Sequence, residues 1–203
     1  VETQAILDSH IQASYRRMGQ VARVLAVQDT TYLDWTHHPH TRGLGPLASE
    51  KRQGLLVHST LGLTPEGVPL GVLQQQVWAR DAETYAHLKD HKQRKIEEKE
   101  SNKWLISLES VHAARAALPN THFVSVGDRE ADVYDLFLVE RVPGVDLLVR
   151  ATRDRRVEAG ERYLWAAVAA APLAATAQLR VPRQKDHPER LAGLEIRWKK
   201  LHL

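Results

Sequence analysis

Cysteine is absent from this 203-residue chain, which excludes a disulfide framework, thiolate zinc sites and a cysteine nucleophile. Chemistry therefore falls to carboxylates, imidazoles, hydroxyls, lysine or arginine. No apolar run approaches the roughly 18 residues of a membrane span, and residues 1–10 lack the charged and apolar regions of a signal peptide. A cytoplasmic location is the expectation. Missing as well are a Walker A loop, G-x-G-x-x-G, H-E-x-x-H and G-x-S-x-G. Nucleotide hydrolysis, dinucleotide binding, zincin and serine-hydrolase readings lose their usual support.

What is present describes an ordinary globular chain: 43% hydrophobic, 26% charged, with 11 Gly and 9 Pro. Its length suits one core with a small appendage. It opens on Val1 rather than Met and closes on strand-like residues from Trp198, so a piece of a longer protein is expected. The net charge of +3 implies no nucleic-acid partner by itself, but the charge is uneven. Residues 1–140 carry 15 Lys+Arg against 18 Asp+Glu, and residues 141–203 carry 13 against 7. A basic C-terminal part can meet a polyanion or simply form a solvated face.

Residues 2–20 read as a helix leading into an apolar strand over residues 21–27, which stops at Gln28, Asp29, Thr30 and Thr31. A long loop with His37, His38 and His40 follows, a weak candidate for zinc. Residues 54–63 and 68–78 form a predicted hairpin around Thr64, Pro65, Glu66 and Gly67. The charged stretch at 80–103 reads as a partly helical insertion. Ser101 can cap a helix with Trp104, Leu105, Leu108 and Val111 on one stripe. A strand at 121–126 then runs into Gly127 and Asp128, followed by a helix with Ala131, Tyr134 and Leu138 on one face. A strand at 145–150, an Ala-rich helix at 163–171 and a second hairpin complete the chain. This order predicts an α/β sheet of mixed strand direction.

Two apolar strands each run out into an aspartate, Asp29 and Asp128. Ligands gather at the carboxyl ends of strands in open α/β sheets. If the two strands are parallel neighbours about 4.8 Å apart, both carboxylates reach one hard cation. Mg²⁺ or Mn²⁺ suits such an all-oxygen site, and a pair of ions would serve phosphodiester chemistry. The bland alternative makes Asp29 an Asx-turn residue and Asp128 a helix cap. Glu130 and Asp132 favour the positive end of a helix dipole, and His58 reads as a core or sheet-face residue.

Several motifs stand in series: Val27-Gln28-Asp29-Thr30-Thr31, Leu44-Gly45-Pro46, Gly54-Leu55-Leu56-Val57-His58-Ser59, Leu63 through Gly71, Trp78-Ala79-Arg80, Glu98 through Trp104, and Val126-Gly127-Asp128-Arg129-Glu130-Ala131-Asp132. The ordered set resembles the DDE transposases of bacterial insertion sequences, the subgroup with a Tyr-Arg-Glu-Lys signature, over residues 24–203. The resemblance implies an RNase H-like mixed sheet flanked by helices, an incomplete catalytic core over residues 1–155. Residues 156–203 would hold a helix and the start of a β-rich insertion subdomain. It implies Asp29 and Asp128 as catalytic, metal-binding carboxylates with two Mg²⁺ or Mn²⁺ ions in the complete site. Thr30, Thr31, Arg129, Arg150 and Arg153 would contact DNA. The implied partners are double-stranded DNA, at transposon ends and target, and a second copy in a homodimer on DNA, with no membrane and no nucleotide cofactor.

The chain departs from that family in two respects. The third carboxylate, within a Tyr-x-x-Arg-x-x-x-Glu pattern, has no match, since Glu158, Glu161, Glu189 and Glu195 all lie outside such a pattern. The end-recognition domain has no match either. Because two-metal catalysis depends on fixed coordination, the chain alone is expected not to cut or join DNA. The other functional expectation is a catalytically dead DNA-binding or dimerising remnant. A third, a phosphatase of small phosphoesters, would share the two aspartates.

Overall fold

The computed structural model describes residues 3–38, 40–49, 51–86, 99–158 and 163–202. Two compact units divide the chain, Val1–Ala151 and Thr152–Leu203. The first holds α1 (Thr3–Met18), β1 (Arg23–Asp34), β2 (Gly45–Pro46), β3 (Gln53–Leu63), β4 (Pro69–Trp78), α2 (Ala82–Ala86), α3 (Asn102–Ala117), β5 (His122–Gly127), a single 3-10 turn (Arg129–Ala131), α4 (Tyr134–Leu138) and β6 (Val145–Val149). Most of the charged 92–100 stretch, Pro39 and Glu161 lie outside the described residues.

The sheet runs β4–β3–β1–β5–β6, with the short β2 also on β3. β3 is antiparallel to both β1 and β4, whereas β1, β5 and β6 are parallel. This is an α/β fold with a mixed sheet flanked by helices, the arrangement of an RNase H-like core. The predicted hairpin forms as read. Gly67 takes φ +88° and donates its N–H to the Thr64 carbonyl at 2.9 Å, closing the turn.

β1 departs from expectation. It does not stop at Gln28 but continues to Asp34, because β3 pairs with it out to the Asp34–Gly54 partners. Only its parallel partner ends early, since β5 pairs with β1 no further than Val27–Val126. Polar side chains do not end a strand whose ladder continues on one edge.

Burial alternates along the strands. Val24, Ala26, Phe123 and Val145 join Trp104, Leu108, Val111 and Ala114 of α3, Met18 of α1 and Leu136 of α4 in one core cluster, and Leu56 is fully buried as well. The helices of this unit therefore cover one face. The predicted α3 stripe is there, with Leu105 at its margin. The expected face after Asp128 is not. Ala131 is buried in the 3-10 turn, but Tyr134 and Leu138 are exposed and Leu136 is the buried residue of α4. Val133 has extended backbone, φ −112° and ψ 128°, which resets the helical phase between Ala131 and Tyr134.

Arg80 stands where the chain leaves the sheet after β4. Its guanidinium donates to both carboxylate oxygens of Glu100 and to the Leu47 carbonyl, and lies over the rings of Tyr32 and Tyr85 at 5.6 and 5.4 Å. A Cβ at Gly45 would run into the Arg80 backbone, so only glycine fits there.

The second unit holds α5 (Leu164–Ala169) and an antiparallel pair, β7 (Ala175–Val181) and β8 (Arg190–Ile196). Little of it is buried beyond Ala167 and Ala171. No helix among the described residues is long and apolar enough to cross a membrane.

Candidate functional site

The other face of the sheet carries the odd-numbered residues of β1 and β3 and the even-numbered residues of β5 and β6, half-buried or exposed throughout. Cα register lines these positions up in rows across the sheet. One row reads Val72, Leu61, Val27, Val126, Leu148, all apolar. The next reads Gln75, Ser59, Asp29 by direct pairing. Two residues past the Val27–Val126 and Val126–Leu148 partners come Asp128 and Arg150, each just beyond the end of its strand. Three strands thus contribute paired polar residues to one line, and the chains leaving β5 and β6 carry Asp128 and Arg150.

Asp29 and Asp128 each lie two residues past Val27–Val126, the last pair at which β1 and β5 are in register. Both are exposed. Asp29 is a strand residue beyond the end of β5 rather than part of an Asx turn. Asp128 has extended backbone, and its Oδ1 accepts the Glu130 N–H at 2.8 Å, capping the 3-10 turn. Capping occupies one carboxylate oxygen, so the helix-cap and site roles are compatible.

Arg150 donates its backbone N–H to the Gly127 carbonyl at 3.1 Å, which fixes the end of β6 beside Asp128. Its side chain is exposed, as are Arg129 at the head of the 3-10 turn and Thr31 on the Asp29 face. Thr30 points to the covered face, where its hydroxyl shares a hydrogen bond with His58 Nδ1 at 2.9 Å. Arg153 lies in the second unit and is exposed.

Beneath the carboxylates, the covered face is unusually polar. Gln28 donates from Nε2 to Ser125 Oγ at 2.7 Å. His58 is fully buried, and its ring meets Trp104 edge to face with centroids 4.6 Å apart. Burial pulls its pKa from the usual 6.5 down to about 4, and the Lys103 ammonium adds to this while the Asp128 charge opposes it. Lys103, itself buried, pairs with Glu130 at 3.3 Å. His58 is therefore a neutral core histidine at physiological pH.

Among the described residues no group of three or more His, Asp or Glu gathers to hold a metal ion. His37 and His38 are exposed loop residues, as is His40. Carboxylate oxygens such as those of Asp29 and Asp128 are the hard donors that suit Mg²⁺ or Mn²⁺, which commonly takes one or two carboxylates and completes its shell with water and phosphate oxygens.

Ser59 and Gln75 are the site neighbours that sequence reasoning missed. The signal was present for Ser59: Leu55, Val57, Leu61 and Leu63 alternate along β3 as apolar residues, and Ser59 alone interrupts them. No protein-family model matches this chain, and no curated protein matches it either.

Proposed function

We propose that the chain is the catalytic-core portion of a DNA transposase that cuts and joins phosphodiester bonds at transposon ends, a polynucleotidyl transferase using Mg²⁺ or Mn²⁺. The observation that carries this reading is that β1 and β5 are parallel neighbours whose last paired residues, Val27 and Val126, each stand two residues before an exposed aspartate, Asp29 and Asp128. The resemblance of the ordered motifs, from Asp29 through Asp132, supports it. Bound cations would supply an activated water or 3'-hydroxyl and stabilise the leaving oxygen. Asp29 and Asp128 hold those cations, and the guanidinium of Arg150 meets the phosphate backbone beside them. Thr31 and Arg129 lie on the same exposed margin to place the DNA end. Thr30 acts from beneath, through its bond to His58.

The second unit adds a basic surface for double-stranded DNA. Its basic side chains, among them Arg153, Arg183, Lys185, Arg190, Lys199 and Lys200, would meet the phosphates, and Arg180 and Arg197 are also bonded to Glu189 and Glu195. The protein works in the cytoplasm at the nucleoid, as a homodimer on DNA. With two carboxylates in place of three, the chain by itself does not sustain cleavage or strand transfer.

Titration with Mn²⁺ and with labelled duplex DNA tests this. Asp29→Ala and Asp128→Ala each abolish Mn²⁺ binding while leaving the fold and the salt-dependent DNA affinity intact. DNA binding without any Mn²⁺ site would favour the second reading, a DNA-binding remnant, which the lack of a third ligand among the described residues supports. Robust Mg²⁺-dependent strand transfer by this chain would overturn the proposed inactivity.

A further inference from the structure

Asp29 has a polar neighbour on the side away from Asp128. Ser59 is its Cα partner across the antiparallel ladder, and Gln75 is the partner of Ser59 in turn. Side chains of such partners share a face with Cβ atoms about 5 Å apart. Gln75 Nε2 donates to Ser59 Oγ at 3.1 Å. A hydroxyl that accepts from an amide keeps its own hydrogen to give. On the far side of Ser59, the acceptor that the register supplies is the Asp29 carboxylate.

Packing does not explain these two residues. Ser59 is half-buried and Gln75 exposed, and their strand neighbours on this face are Val57, Leu61, Val72 and Val77. A β-branched or aliphatic residue would serve a sheet face better at both positions. Thr31, His122 and Asp146 are polar on this face as well, the last two paired with each other at 2.8 Å, but Ser59 and Gln75 are the ones in register with Asp29.

We infer that Ser59, steadied by Gln75, is a positioning residue for Asp29. With a cation bound, its hydroxyl would donate to one carboxylate oxygen and so present the other toward that cation. The inference rests on the reading of Asp29 and Asp128 as a cation-binding pair. Groups that orient a metal's carboxylate commonly contribute as much to affinity as a weak ligand does.

The test is Mn²⁺ titrated into the full chain and followed by the electron paramagnetic resonance signal of the free ion, with thermal unfolding of every variant alongside. Ser59→Ala weakens Mn²⁺ binding about tenfold, and Gln75→Ala weakens it about threefold. Ser59→Thr, which keeps the hydroxyl, restores affinity to within about twofold, and the unfolding midpoints of all three stay with the parent. Parent-like binding in Ser59→Ala, while Asp29→Ala and Asp128→Ala lose it, overturns the inference and leaves the paired-carboxylate reading standing. Weakening that Ser59→Thr does not rescue also overturns it. If the parent binds no Mn²⁺, or Asp29→Ala binds as well as the parent, the reading itself fails and the inference falls with it. Should Ser59→Ala not fold, the exposed Gln75→Ala carries the same comparison.

Discussion

The two faces of the sheet are built from the same strands with nearly the same residue types. Val24 and Ala26 of β1 are fully buried, whereas Leu25 and Val27, one position away, are only half-buried. Phe123 and Val124 of β5 differ in the same way. Strands in which both parities are apolar belong to sheets whose two faces both pack, so hydrophobicity does not say which face the helices take. Position of the helix stripes does. Met18, Trp104, Leu108 and Leu136 all converge on one side, and that side holds the unit together. The opposite side stays accessible, and the row of Gln75, Ser59 and Asp29 stands there beside an apolar one.

The division of labour can be broken most severely at Trp104. Its side chain is 1% exposed and packs on both Phe123 and His58 neighbours within the core. Trp104→Ala should cost about 3–5 kcal/mol in denaturant unfolding. A loss below about 1 kcal/mol would mean that the covered face does not carry the stability.

Acid attacks the same face through His58. Its folded pKa of about 4 lies below the usual 6.5, so the unfolded chain takes up the proton first. The contribution of neutral His58 is complete above pH 6.5 and is lost as pH falls toward 4, amounting to about 3 kcal/mol across that window. Chemical denaturation at pH 7 and at pH 4 should show a smaller difference in His58→Gln than in the parent. An unchanged difference would remove His58 as the sensitive group.

The smallest effect sharpens the contrast between the faces. Leu56 and Leu61 lie in the same strand, but Leu56 is fully buried and Leu61 is in the open row. Leu56→Ala should cost about 2–5 kcal/mol, and Leu61→Ala about 1 kcal/mol or less. Equal losses, measured by the same unfolding titration, would show that both faces are packed alike.

Much of this architecture is legible in the sequence where one local rule decides. The hairpin of β3 and β4 follows from Pro65 and Gly67, and the α3 stripe follows from residues at helical spacing. Asp29 and Asp128 stand out because each follows an apolar run. Legibility fails where a distant partner decides. Gln28 to Thr31 look like a stop, yet β3 keeps them in a ladder. The phase of α4 is lost because Val133 leaves helical backbone, which no residue type there demands. Ser59 and Gln75 join Asp29 only through register, and a register is a property of three strands rather than one.

Arg80 stands just past the end of β4 and Glu100 just before α3 begins, so their bond ties these two elements together. The entropy of closing a loop grows only with the logarithm of its length. A bond that closes at Arg80 and Glu100 therefore costs little more when the sequence between the two is longer. Residues inserted there would leave the register of β3 with β1 and β4 as it is.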